Sequence, residues 1–317
     1  MKLLLKTFLA PFFIAVAILT SCKDSPKRNT SSVNSTDSMD SPNYVTVSST
    51  GMNFEMVDDI PYGWTTFKYE NNSLDPHFFI LEKMPDSLGI EAFKQELIPP
   101  FLAAFKHFDQ GNVEAGMQAF QNIPEWFQRV ELGGGVGLTS GQTSSESTVY
   151  LSPGTYVMEC YVRMPDGMAH TFMGMLKELR VQNTPNNLEP PKADLPITIS
   201  SERGIQFVDS LKAGSYTFSV DFEDQKKYEH MLGHDVNLVK LENDSLVTTL
   251  GQWLNTANIK AFRTPAPKGV SFLGGVEDLP EKSKGFFKVQ LDPGQYLLIS
   301  EIPNCIERKM YTGFKVY

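Results

Sequence analysis

The distribution of apolar and polar positions changes character three times along the 317 residues. Lys2 and Lys6 give a positive start, and residues 3–19 form an apolar run interrupted by Pro11. Residues 23–49 are dominated by Ser, Thr, Asn, Asp and Pro, with almost nothing to bury, and so read as a flexible tether. Beyond them come short runs rich in aromatic and β-branched residues, at 64–70, 77–83, 155–163 and 173–181, punctuated by Gly, Pro and Asn. Runs of this length and composition predict strands. Only 88–97 and 101–108 carry apolar residues at helical spacing, and Pro99-Pro100 between them predicts a break. A shorter helical piece is expected near 246–259.

The pattern also repeats. GGVGLTSGQTSSESTVYLSPGTY at 134–156 aligns without a gap on GGVEDLPEKSKGFFKVQLDPGQY at 274–296. Upstream, GWTTFK at 63–68 aligns with GSYTFS at 214–219, and His77 followed by Lys83 with His234 followed by Lys240. A chain that contains itself twice predicts two copies of one unit. Short, evenly spaced strands in each copy predict an all-β protein of two tandem Greek-key β-sandwiches, the first with a helical insert. The boundaries expected are 50–182 and 195–317, with 183–194, rich in Pro and Asn, as a linker that few contacts cross.

The first 21 residues have the features of a secretion signal. The segment ends in Leu19-Thr20-Ser21-Cys22, which resembles a bacterial lipobox and not a small-residue cleavage site. Cleavage before Cys22 and a lipid on that thiol are expected, with 22–49 as anchor and tether. An uncleaved membrane helix is disfavoured because the run is short and holds a proline. The expected location is the bacterial cell envelope, lipid-anchored, on the periplasmic or surface face. The formal charge is −9, and loss of Lys2 and Lys6 takes it to −11, which argues against a nucleic-acid partner.

Three cysteines remain to be assigned. Cys22 goes to lipid. Cys160 and Cys305 lie where a disulfide is permitted, but the surroundings of Cys160 favour a ligand. In LSPGTYVMECYVRMPDGMAHTFMGM, Cys160, His170 and Met175 are spaced Cys-x9-His-x4-Met. Thiolate and thioether are soft donors that suit Cu(I), imidazole suits both oxidation states, and two His, one Cys and a weak Met form the type 1 electron-transfer set. His77, in DPHFFIL, is placed to supply the second imidazole. Met173 is the alternative to Met175 as axial ligand. Against these stand plainer readings of each residue alone: a buried Cys as a small hydrophobe, a His as a hydrogen-bonded core or surface residue. Met158, Met164, Met168, Met173 and Met175 crowd the same unit; they read as adaptable filler and an apolar rim, or as a Cu(I)-trafficking patch. Met164 and Met168 are expected in the loop beside an exposed edge of His170.

With these residues in place, the chain resembles the cupredoxins, and more narrowly secreted bacterial cupredoxin-like proteins with GWxTF, an early PH, LxPGxYxxxC, DGxxH and GM. The resemblance implies a β-sandwich holding one type 1 copper at its end through His77, Cys160, His170 and Met175. In the second copy Ser300 stands where Cys160 stands, no His follows at the expected place, and 311–314 lack the Gly-Met pair. That copy is expected to be metal-free, with Cys305 in a loop and not a ligand, and His230 and His234 in a solvated loop.

Two-domain copper enzymes need further copper held by additional histidines, and a His beside the type 1 Cys usually relays the electron. Here the neighbours are Glu159 and Tyr161, and besides His77 and His170 only His107, His230 and His234 remain. The sequence therefore predicts no enzyme. It predicts an electron carrier, with the membrane and a cytochrome or other redox protein as partners. A copper-handling lipoprotein and an interaction module with a vestigial copper site are the alternatives.

Overall fold

The computed structural model describes residues 44–317. The expected leader, lipidated Cys22 and most of the tether lie outside the described residues. The described residues form one compact unit.

The first half contributes β1 (Tyr44–Ser49), β2 (Phe54–Glu55), β3 (Asp59–Asn71), β4 (His77–Lys83), β5 (Glu131–Thr139), β6 (Thr143–Leu151), β7 (Gly154–Glu159) and β8 (Leu176–Pro185). The second contributes β9 (Leu195–Ser200), β10 (Gly204–Gln206), β11 (Ser210–Leu211), β12 (Gly214–Phe222), β13 (Val236–Leu241), β14 (Val270–Val276), β15 (Lys284–Leu291), β16 (Gly294–Ile299) and β17 (Tyr311–Val316). They make two packed layers, so the chain is all-β, in two tandem β-sandwiches. One layer runs β2-β1-β3-β6-β15-β12-β9-β10. The other runs from the start of β3 through β8-β7-β4-β5-β14-β13-β16-β17-β11.

Both layers therefore continue from one half into the other. The joint β6–β15 sets Ser147 opposite Phe287, the residue with which it aligns in the repeat. The second joint pairs Thr139 of β5 with Leu273 of β14. Phe67, Phe79, Leu138 and Leu151 of the first half and Phe218, Leu238, Phe272 and Phe287 of the second belong to one continuous core. The expected sparse linker is thus only a chain crossing. β8 runs into it as far as Pro185, and Asn186 donates to the carbonyl of Trp64 at 2.8 Å. The expected tether also ends early, because Tyr44–Ser49 pairs in parallel with β3.

The repeated motifs have local causes. Gly135 and Gly275, in the two GGV segments, adopt φ of 158° and 152°, and a Cβ on either would collide with the carbonyl of Phe79 or Val236 on the neighbouring strand. In each PGxY turn the tyrosine hydroxyl reaches back four residues. Tyr156 donates to Ser152 O at 2.9 Å and Tyr296 to Asp292 O at 2.8 Å, which pins the strand that follows.

The helical insert runs without a break from 90 to 109: a short turn α1 (Ile90–Ala92), a π-helical turn Phe93–Leu97, then α2 (Ile98–Asp109). Pro99 and Pro100 fall in the first turn of α2, where a proline costs little, and the wider π turn before them absorbs the lost hydrogen bonds. This corrects the expected break. α3 (Val113–Phe120) packs back on α2, and Phe101, Phe105 and Phe120 interlock between them. In the second half the corresponding piece is α4 (Leu246–Leu254).

Candidate metal centre

His77 opens β4, Cys160 directly follows β7, and His170 begins a single 3-10 turn, His170–Met173. β4 and β7 are antiparallel neighbours, with Ile80 opposite Glu159, so the open ends of both strands meet at one end of the sandwich. The return loop is tied by main-chain bonds. His170 N–H donates to Val162 O at 2.8 Å, Met175 N–H to His170 O at 3.1 Å, and Cys160 N–H to Met175 O at 3.4 Å. Gly174 makes the sharp reversal between His170 and Met175 at φ 100°. Sequence spacing thus becomes convergence through two strand ends and one tight turn.

The result is a triangle of donor atoms. Cys160 Sγ lies 3.7 Å from Nδ1 of His77 and 3.7 Å from Nδ1 of His170, and the two Nδ1 atoms are 3.1 Å apart. The point equidistant from all three is about 2.0 Å from each, the length of a metal–imidazole bond and a little under a metal–thiolate bond. Two imidazole nitrogens 3.1 Å apart beside a thiol, with no carboxylate among the three, fit a soft to borderline metal, and copper fits the set best. Met175 is completely buried in the same core, whereas Met173, the alternative axial residue, is 47% exposed.

Burial sets the protonation states of the metal-free site. It pushes the Cys160 thiol up to about 12, opposed by main-chain N–H groups of Phe78 and Val162 that point at the sulfur. Burial lowers His77 to about 4, and burial with the neighbouring His77 lowers His170 to about 3. Both rings are therefore neutral at pH 7, as ligands must be, and only the thiol has a proton to lose.

The expected exposed edge of His170 is absent. His170 is fully buried, and its Nε2 has no hydrogen-bond partner. The helical insert and a loop of the second half cover this end. Phe172 packs on Phe105 of α2, Arg163 stacks over the same ring at 5.0 Å, and the Arg163 guanidinium donates to the carbonyls of Thr256, Asn258 and Ala261. Of the methionines around His170, Met168 in the loop and Met173 at the end of the turn reach solvent, at 38% and 47%.

Sequence reasoning missed a cavity of about 110 Å³ beside the donors. Glu82, Glu159, Arg163 and Thr171 line it against Phe105 and Phe172. Burial raises Glu159 to about 7. Glu159 and Tyr161 flank Cys160, and Thr171 follows His170, so the residues next to the donors turn toward this cavity. The alternation of a β-strand was the available signal, since neighbours of an inward ligand face the other side.

The second half is built differently at the equivalent place. His234 points its Nε2 to the hydroxyl of Tyr228 at 2.9 Å and its Nδ1 to the carbonyl of Asp224 at 3.1 Å. Ser300, aligned with Cys160, donates to Asp235 at 2.5 Å. His234 is wholly buried and His230 sits among Phe105, Phe108 and Phe120, so the expected solvated loop is a packed one. Cys305 is buried, and neither it nor Cys160 forms a disulfide.

No protein-family model and no curated protein matches the sequence. Among solved structures, auracyanin B is similar over 42% of this chain and 95% of its own, at 19% identity and a TM-score of 0.29. A Cu-containing nitrite reductase from Thermus scotoductus is similar over 86% of this chain and 61% of its own, at 8% identity and a TM-score of 0.22. A multicopper oxidase is similar over 86% of this chain and 87% of its own, at 9% identity and a TM-score of 0.20. The expectation that the chain is no enzyme is corrected: these two structures, each similar to 86% of it, are a nitrite reductase and a multicopper oxidase. The histidine count behind that expectation addressed only a second copper held by imidazoles. The buried carboxylates and the cavity beside the donors lie outside any count of imidazoles.

Proposed function

We propose that the chain binds one copper ion between His77, Cys160 and His170, with Met175 as the weak fourth ligand, and passes single electrons at this centre. The observation that carries the reading is the triangle of donor atoms with sides 3.7, 3.7 and 3.1 Å. Bound copper would supply one-electron redox chemistry at a soft, thiolate-bearing site. The chain's own part is to hold the donors fixed. His77 and Cys160 are anchored by paired strands, and His170 by the main-chain bonds of its turn. Complete burial of all three excludes water. Such a frame limits rearrangement between oxidation states. We place the protein in the cell envelope, held to a membrane through lipid on Cys22, with a cytochrome or another redox protein as its partner.

The direct test is to load the purified protein with Cu(II) and measure metal content and visible absorption. One copper per chain and an intense thiolate-to-copper band are expected. Colourless copper, or copper that leaves the Cys160 thiol free to react, would overturn the reading.

The metal-free protonation states give a pH dependence. With the thiol near 12 and both imidazoles neutral, binding at pH 7 releases one proton. Apparent copper affinity should fall about tenfold per pH unit from 7 to 5. It should fall more steeply near pH 4, where His77 begins to protonate. Competition titrations against a chelator at each pH measure this slope, and a flat profile would exclude thiolate ligation.

A charge near −11 after loss of the leader should speed encounter with a basic partner. Stopped-flow oxidation of the reduced protein by a basic cytochrome should slow as salt rises, since exposed charges are screened beyond about 10 Å at 0.1 M. A rate independent of salt would rule out electrostatic steering.

A further inference from the structure

We propose that Asp235, Glu277 and Glu301 form a second metal site, which takes one hard divalent cation of the manganese, calcium or magnesium kind. Each presents a carboxylate oxygen within 4.8 Å of the other two. Asp235 and Glu277 are fully buried and Glu301 is 1% exposed. Ser300 and Asn237 hold Asp235 in place, donating at 2.5 and 2.6 Å. Glu277 is different: neither of its oxygens has a hydrogen-bond partner, and Glu301 Oε2 has none either. A buried carboxylate aimed at two others and bonded to nothing lacks the group that should satisfy it.

Among the described residues no cationic side chain forms an ion pair with it, although the charge of Arg163 is felt at Glu301. The ion pairs among the described residues all lie elsewhere. The Arg163 guanidinium gives its hydrogen bonds to carbonyls. Three carboxylates this close cannot all stay ionised alone, and burial with the mutual repulsion of the group drives Glu277 and Glu301 well upward. Protons would relieve the charge, but as placed neither Glu277 oxygen lies within hydrogen-bond distance of an acceptor. A divalent ion relieves the charge and satisfies the oxygens together. Oxygens bound to one such ion at about 2.1–2.6 Å lie roughly 3–5 Å apart, which suits this spacing. Carboxylate donors select Mg, Ca or Mn over copper.

The repeat shows how the site arises. Asp235 and Glu301 align with Phe78 and Tyr161, whose rings pack edge-on at 4.7 Å, and Glu277 aligns with Gly137. Where the first half fills the space between its strands with an aromatic pair, the second places carboxylates. The two meet, because the Tyr161 hydroxyl donates to Glu301. Asn237, beside the cluster, accepts from the Leu138 N–H at 2.6 Å. The cation would therefore sit at the joint between the halves and stabilise it.

The test uses the full chain carrying Cys160→Ser, stripped with a chelator and dialysed against Mn²⁺. One tightly held manganese per chain is expected by mass spectrometry and electron paramagnetic resonance, displaced by excess Ca²⁺ and raising the melting temperature. Adding Glu277→Gln, or Asp235→Asn, should weaken manganese binding by at least about 10–100-fold. In the Cys160 background each of these two variants should still give the copper band, which shows that it is folded. No bound manganese, calcium or magnesium in the folded parent overturns the proposal. So does undiminished binding in both carboxylate variants. A parent without metal that Glu277→Gln stabilises would show that protons hold the cluster.

Discussion

Cys160→Ser is expected to abolish the visible band of the copper-loaded protein and to lower copper affinity by several orders of magnitude. The hydroxyl occupies nearly the same space, so the fold should persist and the loss should come from chemistry. A thiol buried up to about 12 still yields its proton to copper because a soft thiolate–metal bond replaces it. An alcohol is a hard donor and holds its proton far more strongly. The second half carries the same exchange within one molecule. Ser300 stands at the aligned position, donates to Asp235, and has no imidazole pair beside it. Cys305→Ser is the control: that thiol is buried in the second half away from the donor triangle, so the band should survive its loss. Copper titrations followed by absorption and electron paramagnetic resonance would decide. A band that persists in Cys160→Ser and disappears in Cys305→Ser would remove the assignment.

The convergence of His77, Cys160 and His170 was legible in the sequence because each lies where a local rule fixes its position. His77 begins a strand of aromatic and β-branched residues, and Cys160 ends the strand started by the PGxY turn. His170 and Met175 bracket a glycine that forces a tight reversal. What could not be read was the environment those residues share. The burial of His170 depends on Phe105, more than sixty residues earlier in the chain, and on carbonyls at 256–261 of the other half. The composition of 183–194 suggests a hinge, yet the halves are joined elsewhere, by β6 against β15 and β5 against β14. An aligned repeat shows that two units are alike; it does not show that their equivalent strands pair with each other. The carboxylate cluster was hidden for the same reason. Asp235, Glu277 and Glu301 are scattered acidic residues in the sequence, and only the register of β13, β14 and the end of β16 brings them together.

Phe287→Ala is expected to lower the temperature at which the copper band is lost, although Phe287 lies in the half without the donor triangle. Its ring is 1% exposed, packs on Phe218 at 5.3 Å, and sits on β15 where Ser147 of β6 faces it. Truncating a buried phenylalanine costs about 3–5 kcal/mol, from lost burial and the cavity left behind. For a unit of this size, about 2–4 °C per kcal/mol gives a fall of roughly 6–20 °C. The location of the effect is more informative than its size. Both layers and the core run through the joint, so the halves should unfold as one cooperative unit. Loss of the band, which reports on the first half, and loss of the far-ultraviolet circular dichroism signal, which reports on both, should shift together. If the halves were independent, the variant would melt in two steps and the copper band would vanish at the temperature of the unmodified protein. That outcome would reduce the strand pairing at the joint to a surface contact, and with it the stabilising role of a cation held by Asp235, Glu277 and Glu301.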